Sequence, residues 1–110
     1  MAARATALLA SGEPLLVADL VFAECIYVLE SYYEVKRPRV AVLMRSALST
    51  ACLKTVAPGL LRRALEVYEL DRLDFAEAYL VAQAEHTGVD EIASFDRAID
   101  RVTSVRRREP

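Results

Sequence analysis

A helix-rich α/β domain with a short, mostly parallel sheet is the fold class this sequence predicts, and three observations predict it. Apolar runs of strand length, residues 15–18 (LLVA), 53–56 (LKTV) and 91–95 (EIASF), alternate with segments of helical length. Such alternation builds parallel sheets, because a parallel neighbour is reached through a crossover, usually a helix. The chain is 110 residues long, the size of one domain, so residues 1–110 are read as a single unit. Its 55% hydrophobic content and mean hydropathy of +0.21 require a core, a partner surface, or both. Because the strand candidates are short, an all-helical domain is the alternative.

The elements follow from punctuation and spacing. Residues 2–10, rich in alanine and leucine, favour a helix. After the break at residues 11–14 (SGEP), residues 15–18 read as a strand buried on both faces. Asp19 is placed to cap a helix running to about Tyr33. Pro38 sits in the first turn of a helix reaching about Thr50, and residues 53–56 form a second strand. Residues 58–70 carry Leu61, Leu65 and Tyr68 at helical spacing. Asp74 opens another helix, through about His86, that Gly88 ends. Residues 91–95 and 102–106 are the last strand candidates.

Composition excludes several function classes. The net charge is −2, from 14 basic and 16 acidic residues, which argues against a protein held on nucleic acid by bulk charge. No apolar run reaches membrane-spanning length, and no secretory leader is visible, so a cytoplasmic domain off the membrane is expected. Cys25 and Cys52 lie far apart without a CxxC pair, and His86 is the lone histidine. Two reduced, buried cysteines are therefore expected rather than zinc, and any metal would be a hard cation on carboxylates. His86 is read as a helix-end residue, and Arg106, Arg107 and Arg108 as a solvated basic tail. Tyr27, Tyr32 and Tyr33 are read as core or interface. No glycine-rich phosphate loop or nucleophile motif occurs.

Three acids stand in unusual surroundings. Glu24 has Leu20, Val21, Tyr27 and Val28 one turn away, so it shares its helical face with no polar residue. It is either a ligand or catalytic carboxylate in a cleft, or a glutamate at the edge of the apolar face paired with an arginine. Glu77 has Leu73, Leu80 and Val81 as turn neighbours. With Asp74 it also fits a capping box, in which a glutamate reaches back to the backbone. Asp96 follows the strand at residues 92–94, and parallel sheets bind ligands beyond the carboxyl ends of their strands. It fits an N-cap equally well.

Residues 15–29 (LLVADLVFAECIYVL), 73–84 (LDFAEAYLVAQA) and 94–97 (SFDR) together resemble blocks of PIN-domain proteins, specifically VapC-type toxins of toxin–antitoxin pairs. The resemblance implies an α/β/α sandwich around a parallel sheet. It also implies a Mg²⁺- or Mn²⁺-dependent ribonuclease whose carboxylates meet at the strand ends. Carried over by position, Glu24 matches the helical glutamate of the family, and Glu77 stands where an aspartate is usual. Asp96 and Ser94 match the aspartate and hydroxyl residue of its Ser/Thr-x-Asp block, and Asp74 a frequent further acid. Glu24, Glu77 and Asp96 are thus the catalytic and metal-holding candidates, with Asp74, Ser94 and Arg97 supporting. The family also begins with a strand ending in an aspartate. No such segment is present, and the expectation is that Met1 is an internal methionine.

The function so implied is an endoribonuclease toxin acting on RNA, a homodimer with a small antitoxin protein as partner. The alternative is a catalytically inactive PIN remnant that only binds antitoxin or dimerises. A purely helical interaction protein, its acids serving as caps and solvated edges, is the third reading.

Overall fold

The computed structural model describes Arg4, Ala7 and residues 10–110. The expected helix over residues 2–10 falls largely outside the described residues; within it, Arg4, Ala7 and Ala10 are helical. Strand β1 (Leu15–Leu16) leads into helix α1 (Asp19–Ser31), then α2 (Arg37–Leu48) and β2 (Leu53–Lys54). Helices α3 (Pro58–Leu70) and α4 (Phe75–Thr87) follow, then β3 (Glu91–Ala93), a 3₁₀ turn (Arg97–Arg101) and β4 (Arg106–Arg108). The chain is helix-rich with short parallel sheets, as the α/β reading requires. The all-helical alternative is overturned by the strand pairing itself.

That pairing makes two separate parallel ribbons among the described residues. Leu15 and Leu16 register with Leu53 and Lys54. Glu91, Ile92 and Ala93 register with Arg106, Arg107 and Arg108. The last strand therefore begins where the expected one ended. Val102 and Val105 are both buried in the core just before it, which leaves the arginine run to form the ladder. Arginines can do so because Arg106 and Arg108 reach solvent, and acids lie beside all three. Arg106 pairs with Asp90 at 3.3 Å, Arg108 with Glu91 at 2.9 Å, and Arg107 with Asp100 and Glu109 at 3.2 and 3.0 Å. The run is therefore a strand rather than a tail, although Arg106 and Arg108 stay solvated, with side chains 72% exposed.

Helices α3 and α4 pack most extensively. The former buries Leu61, Ala64, Leu65, Val67 and Tyr68, and the latter presents small residues, Ala78, Ala82 and Ala84, that permit close approach. Phe22 and Ile26, one turn apart on α1, complete the core from the other side. Gly88 ends α4 in the left-handed conformation (φ 78°), where a side chain would be strained. Phe75, at the start of α4, meets three rings, those of Phe22, Tyr68 and Tyr79, at centroid distances of 5.7, 6.2 and 6.3 Å.

Polar ties set the angle at which the helices enter. Ala18, not Asp19, is the N-cap of α1, and Asp19 lies in the first turn, where its charge suits the helix dipole. The expected cap is absent because the Asp19 carboxylate is engaged elsewhere: its Oδ2 accepts the Tyr79 hydroxyl proton from α4. At the start of α2, Arg37 Nη1 donates to the carbonyls of Tyr68 and Leu73 at 2.8 and 2.6 Å, with its guanidinium 4.4 Å from the Tyr68 ring centre. The Tyr68 hydroxyl in turn donates to Glu30 at 2.6 Å. This clamp fixes the loop that delivers Asp74 and the first turn of α4. Of the cysteines, Cys52 is buried as expected, whereas Cys25 is exposed on α1; neither is in a disulfide. No helix among the described residues is long and apolar enough to cross a membrane.

Candidate active site at the end of β3

The ladder of β3 extends one step beyond its last residue, where the Ser94 amide donates to the Arg108 carbonyl at 3.1 Å. Arg107 Nη1 donates to the Ser94 carbonyl at 3.3 Å. Held on both sides, Ser94 places its hydroxyl between the Glu77 carboxylate and the Asp96 backbone amide. Its Oγ donates to Glu77 Oε2 at 3.4 Å and accepts the Asp96 amide at 3.0 Å. Asp96 then caps the 3₁₀ turn, its Oδ1 accepting the Ala98 amide at 2.9 Å. Glu77 Oε1 and Asp96 Oδ2 are left without a hydrogen-bond partner among the described residues.

The electrostatics record the crowding. The Glu77 carboxyl is held above its ordinary range, first by burial, then by the Asp96 charge, with Asp74 adding to it and the Ser94 hydroxyl opposing it. Ionised Glu77 is thus under-compensated, which is the condition in which an added cation stabilises the fold. For a carboxyl raised in the folded state, the stabilising contribution is complete below the unfolded pKa and disappears as pH rises through the folded one. Glu77→Gln should therefore melt at a higher temperature than the parent at neutral pH without added cation. The difference should close near about pH 4, where a free glutamate takes up its proton; melting curves at both pH values check this.

Glu77, Ser94 and Asp96 are brought together, and Asp74, at the N-cap of α4, is near enough for its charge to act on Glu77. The capping box is not formed. The Asp74 side chain makes no cap bond, and Glu77 turns to Ser94 instead of back to the backbone. Arg97 is exposed in the turn that Asp96 caps. Glu24 takes no part in these contacts. It is exposed on α1, along a hollow it shares with Val21, Cys25, Val28, Leu29 and Met44. Its helical face is apolar as read, yet uncovered: Leu20 is 79% and Tyr27 68% exposed, because α1 turns Phe22 and Ile26 to the core. Among the described residues, no group of three acids, histidines or cysteines is placed to hold a metal ion.

Asp19, offered by the sequence only as a helix cap, is a further acid in an unusual setting. Asp19 keeps one oxygen, Oδ1, buried without a hydrogen-bond partner, while its other oxygen holds Tyr79, whose hydroxyl that bond pushes up to about 12, helped by burial. Sixty positions separate the two residues, so local spacing carries no signal of the pair.

Two carboxylates and a hydroxyl are hard oxygen donors. Mg²⁺ commonly sits on one or two carboxylates and keeps several waters, so Glu77, Ser94 and Asp96 fit a partial shell for such an ion. The family model for the PIN domain matches residues 1–105. Comparison with curated proteins and with solved structures gives no match. PIN domains are in general divalent-metal-dependent nucleases, and with the match running through all but the last few of its 110 residues, this chain belongs to the PIN-domain family.

Proposed function

We propose that the protein is a Mg²⁺- or Mn²⁺-dependent endoribonuclease, a cytoplasmic toxin of the VapC type, with Glu77 and Asp96 as its central acids. The observation that carries this reading is the Glu77–Ser94–Asp96 network, which leaves one oxygen of each carboxylate uncommitted beyond the carboxyl end of a parallel strand. Glu77 Oε1 and Asp96 Oδ2 would hold the cation. Ser94 ties the Glu77 carboxylate to the Asp96 backbone amide, which keeps Glu77 beside the turn that carries Asp96. The cap bond to Ala98 locks the Asp96 rotamer, so little reorganisation is needed when substrate arrives. Arg97, in the same turn, offers a cation to a substrate phosphate. A bound divalent ion supplies the rest of the chemistry, an acidified water and offset charge on the cleaved phosphodiester.

The uncovered apolar face of α1 supports a protein partner. Leu20, Val21, Tyr27 and Val28 surround Glu24 there, and Tyr32 and Tyr33 continue the exposure. Monomers rarely leave contiguous apolar surface open, and an antitoxin segment or a second copy of the chain would cover it. Incubation of end-labelled RNA with the protein tests the nuclease reading. Cleavage is expected with Mg²⁺ or Mn²⁺ and none in EDTA. Equal cleavage in EDTA, or none with either cation, contradicts it.

A further inference from the structure

A hollow opens at Arg101, at the other end of the 3₁₀ turn that Asp96 caps. Arg37, Leu70, Asp71, Arg72 and Arg101 line this hollow of about 630 Å³. Three guanidinium groups meet there against one carboxylate, in a chain whose net charge is −2. Arg37, Arg72 and Arg101, like Arg39, Arg62 and Arg97 elsewhere, have no ion pair among the described residues, but only the first three line one hollow. Two of them are nevertheless fixed. Arg37 holds the Tyr68 and Leu73 carbonyls through Nη1, and Arg101 holds the Asp71 and Arg72 carbonyls through Nη1 at 3.4 and 3.1 Å. Each therefore keeps Nε and Nη2, the edge that forks onto a phosphate or carboxylate, without a partner among the described residues. Arg72 makes no side-chain bond among them and stands at φ 59°, a conformation glycine would adopt without strain. A large cationic side chain at such a position is hard to explain by the loop's own geometry.

We propose that this hollow is a phosphate-binding subsite for a single RNA strand whose cleavable bond lies at Glu77 and Asp96, an inference that rests on the nuclease reading above. The two places share their supports. Residues 71–74 run from the hollow into the first turn of α4, and the 3₁₀ turn capped by Asp96 ends at Arg101. At about 2 Å per residue that turn spans ~10 Å, so one strand can touch both. Acids that repel the phosphate backbone need such a neighbouring cationic grip to retain substrate.

Fluorescence anisotropy with a short labelled single-stranded RNA, in EDTA so that nothing is cleaved, tests the subsite. Arg72→Gly relieves the backbone while removing the charge, so its melting temperature should not fall. Its affinity should drop several-fold and its salt slope by about 0.7, with about twice that slope change when Arg101→Gln is added. Arg106→Gln with Arg108→Gln, whose charges are already paired with Asp90 and Glu91 and lie outside the hollow's lining, should change binding less. Unaltered affinity and slope in the Arg72→Gly/Arg101→Gln protein overturns the subsite, and if metal-dependent cleavage persists the nuclease reading survives alone. Lost RNA binding in that variant, with no cleavage by the parent under any divalent cation, keeps the subsite and removes the nuclease reading. Competition by poly-L-glutamate as strong as that by unlabelled RNA would overturn the assignment to RNA in favour of an acidic protein segment.

Discussion

Asp96→Asn is expected to lower metal-dependent RNA cleavage by about 100-fold or more, the scale of removing one charge-stabilising group, without lowering the melting temperature, since it also relieves the repulsion on Glu77. The two effects separate because Asp96 does two jobs with two oxygens. Its Oδ1 accepts the Ala98 amide, and an asparagine oxygen does this as well, asparagine being among the best N-caps. Its other oxygen contributes charge, which asparagine lacks. Asp96→Ala loses both, so it should show the same loss of cleavage plus about 1 kcal/mol of destabilisation. Initial cleavage rates and melting curves for the two variants check the division. A large stability loss in Asp96→Asn, or cleavage at the parental rate, would show that the acid is only a cap.

Phe75→Ala should be the most damaging single change to stability, costing about 3–5 kcal/mol. The ring is 5% exposed and meets Phe22, Tyr68 and Tyr79, so one truncation opens a cavity between α1, α3 and α4. A domain of this size has a total stability of only about 5–15 kcal/mol. The loss should lower the melting temperature by about 12 °C or more. Because Phe75 lies two residues before Glu77, the first turn of α4 should loosen as well. Cation affinity should then fall even where the fold persists, and circular dichroism melts with and without Mn²⁺ measure both effects.

The helices were legible because their signals are local. Leu61, Leu65 and Tyr68 recur at helical spacing and are all buried in α3, Pro38 marks the first turn of α2, and Gly88 ends α4. The pairing of Glu77 with Ser94 and Asp96 was foreshadowed by their positions at a helix start and a strand end. Features made by distant partners were not legible. Arg106, Arg107 and Arg108 look like a tail until their parallel pairing with Glu91, Ile92 and Ala93 is seen. Glu24 lies among apolar neighbours as read, but spacing cannot tell a covered apolar face from an open one. Asp19 spends its carboxylate on Tyr79 rather than on its own helix, and Arg37 takes carbonyls 31 and 36 positions away. A hydrogen bond to a distant carbonyl leaves no trace in side-chain spacing.

The central claim is that Glu77 and Asp96 together hold a divalent cation, and titration of Mn²⁺ into the protein, following the resonance of the free ion by electron paramagnetic resonance, tests it most directly. The parent should deplete free Mn²⁺ with a saturable site that excess Mg²⁺ displaces, and the folded Glu77→Gln/Asp96→Asn protein should leave the ion free. Equal uptake of Mn²⁺ by the parent and that variant would contradict the account.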